Sequence, residues 1–64
     1  MELNIGKNIK RFRKSAGLTQ EKLAHKVDLT LRYFQHVESG TGIPTIMTLM
    51  KIAKALGRNI KDFF

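Results

Sequence analysis

The pair Leu-Thr stands twice in this chain, at Leu18-Thr19 and Leu29-Thr30, each time just ahead of apolar residues at helical spacing. A Thr so placed accepts hydrogen bonds from the first free N–H groups of a helix. The residue before each Thr and the fourth after it are apolar, Leu18 with Leu23 and Leu29 with Phe34, which is the spacing of a hydrophobic staple. Neither start carries a capping box, because Lys22 and Tyr33 hold the third helical position. Between the two helices, Val27-Asp28-Leu29 leaves room only for a sharp corner, and Asp28 tolerates the left-handed conformation better than most residues other than glycine. Gly40 ends the second helix as a glycine C-cap does. The stretch from Leu18 to Gly40 reads as helix, tight turn, helix.

Similar signals along the rest of the chain predict an all-α fold of five helices in one domain spanning 1–64. A first helix, about Ile5 to Ser15, carries Ile5, Ile9 and Phe12 on one stripe and ends at Gly17. The second and third, about Gln20 to Val27 and Leu31 to Ser39, bury Leu23, Ala24 and Val27, then Phe34 and Val37. The fourth, about Ile46 to Leu56, starts after Thr45, stops at Gly57 and turns Leu49, Ile52, Ala53 and Leu56 inward. A short fifth helix from Ile60 has Asn59 as its cap and Asp62 near the positive end of its dipole. A chain this short buries only about 60% of its unfolded surface, so association with a second copy makes energetic sense.

Composition removes several classes of function. There is no Cys, which excludes disulfides and thiolate metal sites and suits a reducing cytoplasm. No apolar run approaches the ~20 residues that span a bilayer, and the polar start Met1-Glu2-Leu3-Asn4 lacks the apolar core of a signal peptide. The expected location is the cytoplasm. His25 and His36 stand on different helices, with no Cys or helical His pair to complete a site, so no metal and no cofactor are expected. Ser15 and Ser39 sit in no nucleophile motif and the five acidic residues are scattered, which argues against an enzyme.

The charge balance points to a polyanionic partner. Twelve Lys and Arg against five Asp and Glu leave a formal net charge of +7. Lys7, Lys10, Arg11, Arg13 and Lys14 crowd into the first helix, with no acid between Asn4 and Gln20. A run like this is often no more than a solvated face. Beside a helix-turn-helix unit it meets a row of phosphates and gains from counterion release. On the third helix, Leu31 with Gln35 and Arg32 with His36 are pairs four apart, both rows opposite Phe34 and Val37, so the four form one outward patch. An α-helix fits the DNA major groove, where Arg pairs with guanine, Gln with adenine, and an aliphatic side chain touches the thymine methyl. Arg32 is assigned to guanine.

These residues carry a resemblance. Gly17-Leu18-Thr19-Gln20-Glu21-x-Leu23-Ala24, then Tyr33 to Gly40 as Y-[IF]-x-x-[IV]-E-x-G, Pro44, and Leu49-x-x-Ile52-Ala53-x-Ala55-Leu56-Gly57 agree in register over roughly Ile5 to Phe64. The chain resembles the Cro/cI-type (XRE) transcriptional repressors of phages and bacteria. The resemblance implies a five-helix, lambda-repressor-like DNA-binding domain, phage-encoded or bacterial and associated with the nucleoid. It implies base contacts from Leu31, Arg32 and His36, with Gln35 their neighbour; Leu31 departs from the Gln common in lambdoid repressors, so their operator preference does not transfer. A basic residue at Arg13 that pairs with Glu38, making a structural ion pair, is a further implication. Phosphate contacts are expected from the backbone N–H groups and side chain of Gln20 at the start of the second helix, supported by the resemblance, and from Thr19, Thr30, Tyr33 and Lys10, with helix capping for the two Thr and packing for Tyr33 as the plainer readings. Ile46, Met47 and Met50, with Ile60, Phe63 and Phe64, either complete the small core or form a dimer interface; the resemblance favours the interface.

The function expected from all this is a double-stranded DNA-binding transcriptional regulator, most simply a homodimeric repressor. A restriction-modification controller or an antitoxin of the same fold reads no differently. A protein-interaction module without DNA binding is countered by Arg32, Gln35, His36 and the +7 charge. A membrane-surface peptide from the first helix is countered by the regular apolar patterns of the other helices.

Overall fold

Each of the two Leu-Thr starts follows a left-handed residue that closes the preceding helix. In the computed structural model, which describes residues 4–64, the α-helices are α1 (Ile5–Ser15), α2 (Gln20–Lys26), α3 (Leu31–Ser39) and α4 (Ile46–Ala55). Asp28 has φ 58° and lets Leu29 N–H reach back to Ala24 O at 2.9 Å. Gly17, φ 73°, does the same for Leu18 N–H and Arg13 O at 3.1 Å. Both are Schellman-type closures. Each returns the chain to an extended Thr whose hydroxyl caps the next helix: Thr19 Oγ1 accepts from Lys22 N–H and Thr30 Oγ1 from Tyr33 N–H, each at 3.1 Å. Thr45 caps α4 through Thr48 N–H at 3.2 Å.

The fifth element is not an α-helix. Ile60–Phe63 is a short 3-10 helix, held by Asp62 N–H to Asn59 O at 3.0 Å, with the Asp62 carboxylate accepting from Asn59 N–H at 3.1 Å. Four residues are too few for the i→i+4 ladder, and the tighter i→i+3 turn takes its place. The architecture is therefore all-α, four α-helices and one 3-10 turn among the described residues. Two ends fall one residue short of expectation, α2 at Lys26 and α4 at Ala55, with Val27 and Leu56 acting as caps. The polar start Met1-Glu2-Leu3 lies outside the described residues.

α3 packs on α1 and α2, α4 packs on α2, and the 3-10 turn bridges α1 and α4. The core is Ile5, Ile9, Phe12, Leu23, Ala24, Val27, Phe34, Val37, Leu49, Ile52, Ala53 and Phe63. Leu18, Leu29, Leu56 and Ile60 are partly buried against it. Phe63, expected at a dimer interface, is a correction: it is 0% exposed. Its ring meets Phe12 edge-on at 5.1 Å between centroids, and its carbonyl accepts from Asn8 Nδ2 at 2.9 Å. The 3-10 turn aims that ring inward, so Phe63 has no surface to offer a second chain.

One glycine decides how closely α1 and α3 approach. A Cβ on Gly6 would lie 2.6 Å from the carbonyl oxygens of both Val37 and Glu38. Backbone meets backbone there, and no side chain fits.

Candidate nucleic-acid interface

α3 buries Phe34, Val37 and Glu38 and exposes Leu31, Arg32, Gln35 and His36, which share its outer side as the helical period dictates. Arg32, Gln35 and His36, with Ser39 and Thr41, line a shallow open depression. His36 Nδ1 lies 2.9 Å from Thr41 Oγ1, so Nε2 is the ring nitrogen left outside that contact. Thr41 is a contributor that sequence reasoning missed. It follows the Gly40 C-cap, whose φ of 84° turns the chain back over the end of α3, and a Thr one residue after such a Gly was the available signal.

Beneath the surface lies the ion pair. Arg13 and Glu38 are 7% and 6% exposed, with Arg13 Nε to Glu38 Oε2 at 2.8 Å and Nη2 to Oε1 at 2.9 Å. The remaining Arg13 nitrogen, Nη1, donates to Leu18 O at 2.7 Å, so one guanidinium joins α1, the start of α2 and the end of α3. Planar, bidentate pairing of this kind is what makes burial of two charges tolerable. Glu38 also accepts from Gln20 Nε2 at 2.9 Å, and Gln20 Oε1 accepts from Gln35 Nε2 at 3.3 Å. Gln20, expected to face phosphate, is half-buried and joins its side-chain amide to Glu38 on one side and Gln35 on the other. This bridge between helices was not legible from spacing.

Lys7, Lys10, Arg11 and Lys14 are exposed on α1. Arg11 is partly committed, since its guanidinium carbon lies 4.9 Å from the Phe12 ring centroid, and Arg58 lies 4.4 Å from the same ring. The Thr19 and Thr30 hydroxyls accept from backbone N–H and keep their own hydrogens to donate outward. Tyr33 is exposed. Ile46, Met50 and Phe64 are exposed too, joined by Ile43 and Met47, whereas Ile60 is half-buried. Among the described residues no group of three or more His, Cys, Asp or Glu gathers to hold a metal, and no helix is long and apolar enough to cross a membrane.

Two short helices in a tight corner, the second presenting a polar and cationic outer row beside an exposed basic helix, define a helix-turn-helix module. The chain belongs to the helix-turn-helix family, whose model matches residues 9–63, and within it to the Cro/cI-like (XRE) type that its motifs describe. It is 42% identical over 57 residues to an uncharacterized HTH-type transcriptional regulator of Methanothermobacter thermautotrophicus, covering 88% of this chain and 83% of that one. It is 33% identical over 60 residues to the cryptic phage CTXphi transcriptional repressor RstR of Vibrio cholerae, covering 94% of this chain and 54% of the repressor. Among solved structures, the restriction-modification controller protein C.AhdI from Aeromonas hydrophila superposes with a TM-score of 0.90 at 29% identity, over 97% of this chain and 94% of that one. The biofilm regulator SinR, in a crystal structure with DNA, superposes at 0.84 and 29% identity, over 89% of this chain and 92% of SinR.

Proposed function

We propose that this protein is a DNA-binding transcriptional regulator that binds as a homodimer and represses by occupying an operator. The observation that carries the reading is the outer row of α3, where Arg32, Gln35 and His36 stand exposed on a helix of the right width for the major groove. Arg32 reads guanine through O6 and N7, and Leu31 lies against a thymine methyl. Lys10, Thr19, Thr30 and Tyr33 hold the phosphates on either side and set register without choosing sequence. The exposed apolar group of Ile46, Met47, Met50 and Phe64 supplies the second copy's contact. Residues 1–64 act as one lambda-repressor-like domain in the cytoplasm. The fold and its family argue for recognition, not catalysis.

A restriction-modification controller is the second reading, favoured by the superposition on C.AhdI. It shares the DNA contacts and differs in what the bound protein does to polymerase.

Selection of bound duplexes from a random pool tests the proposal. A two-fold symmetric motif with half-sites about one helical turn apart, ~34–36 Å, is the expected product. A pool that emerges unchanged after selection at low ionic strength refutes DNA reading.

A further inference from the structure

We infer that Gln20 is a positioning residue that turns the Gln35 amide into an adenine reader; this rests on the DNA-reading function proposed above. The Glu38 carboxylate, gripped by the Arg13 guanidinium, has only acceptor atoms to offer. Gln20 therefore turns its NH2 towards Glu38 Oε1, 2.9 Å away, and directs its carbonyl oxygen outward. Gln35 meets that oxygen with Nε2 at 3.3 Å. A buried charge thus sets which way both amides face.

What Gln35 retains is Oε1 as an acceptor and one N–H as a donor, on an exposed side chain of the outer row. In the major groove, adenine offers the N6 donor beside the N7 acceptor and matches both. Guanine presents two acceptors there, cytosine its N4 donor, and thymine O4 beside a methyl, so each leaves one Gln35 atom without a partner. The contact with Gln20 biases the Gln35 amide toward this orientation before DNA arrives, which lowers the ordering cost that a free glutamine meets on binding. Gln20 serves specificity without touching a base.

The test compares wild type, Gln20→Met, Gln20→Ala and Gln35→Ala by duplex selection, followed by competition between selected duplexes that differ at one base pair. Thermal unfolding checks that each variant is folded, and both Gln20 variants leave the residues of the Arg13–Glu38 pair unchanged. The expected result is adenine at one position of each half-site, lost in Gln35→Ala. In both Gln20 variants that preference falls about tenfold while the other positions hold theirs. Three results overturn the inference: Gln35→Ala flattens a position that prefers another base, the Gln20 variants keep full adenine preference, or they weaken all sequences alike. Failure of the wild type to bind any DNA at low salt removes the proposed function and this inference together. Sequence-specific binding indifferent to Gln20 removes the inference alone.

Discussion

Glu38 does two jobs with one carboxylate. It neutralises a buried guanidinium, and it anchors the side chain that reaches Gln35. Removing one partner of a buried pair strands the other charge, at a cost of about 3–5 kcal/mol, which is most of the stability a small domain has. Glu38→Ala should therefore be largely unfolded in thermal melts under conditions where wild type is folded; an unchanged melting temperature would contradict the burial seen here. The exposed residues behave differently. Arg32→Ala should cost about 1–3 kcal/mol of binding and relax preference at one base pair, while Lys10→Ala should weaken operator and random DNA equally. Competition binding against both duplexes separates the two, and an Arg32 effect equal on both would cancel its base-reading assignment.

Among the elements, α1 and α3 are joined by direct backbone contact at Gly6. Gly6→Ala has no flexible side chain to displace, so the helices must part, and about 1–3 kcal/mol should be lost. A chemical-denaturation midpoint unchanged by this substitution would mean that the gap can open freely. Periodicity and capping chemistry made α1 to α4 legible in the sequence, because each Thr cap and each left-handed closure is a local event. The corner at Asp28 was readable for the same reason. Gly6 was not, since its meaning lies in the carbonyls of Val37 and Glu38, distant along the chain. Phe63 was misjudged for a related reason: a terminal aromatic looks the same in sequence whether a 3-10 turn aims it in or out. The outer row of α3 followed from helix geometry, and the Arg13–Glu38 pair from family resemblance. The links from Gln20 to Glu38 and Gln35, like that from Thr41 to His36, depend on how separate elements dock.

The described residues span 30 × 22 × 20 Å, and the full chain carries seven surplus positive charges. A body of that size is smaller than the ~34–36 Å that separates half-sites, which is why the proposed function pairs two copies. A dimer making roughly six to ten phosphate contacts should lose about 10³–10⁵ in affinity between 50 and 200 mM salt, measurable by titration at several ionic strengths. A flat response would show that charge contributes little. Met50 is exposed on α4, so Met50→Glu should leave the fold intact while abolishing concentration-dependent mass in sedimentation and weakening operator binding. Persistent dimers would move the interface elsewhere. Two members of the α3 outer row, Gln35 and His36, are tied by polar partners to the body behind them, whereas Arg32 stands exposed next to them. Retargeting such a regulator is thus uneven work: a lineage can swap the arginine and try new sites with its scaffold undisturbed, but altering the tethered glutamine tugs on a thread that runs to the buried charge.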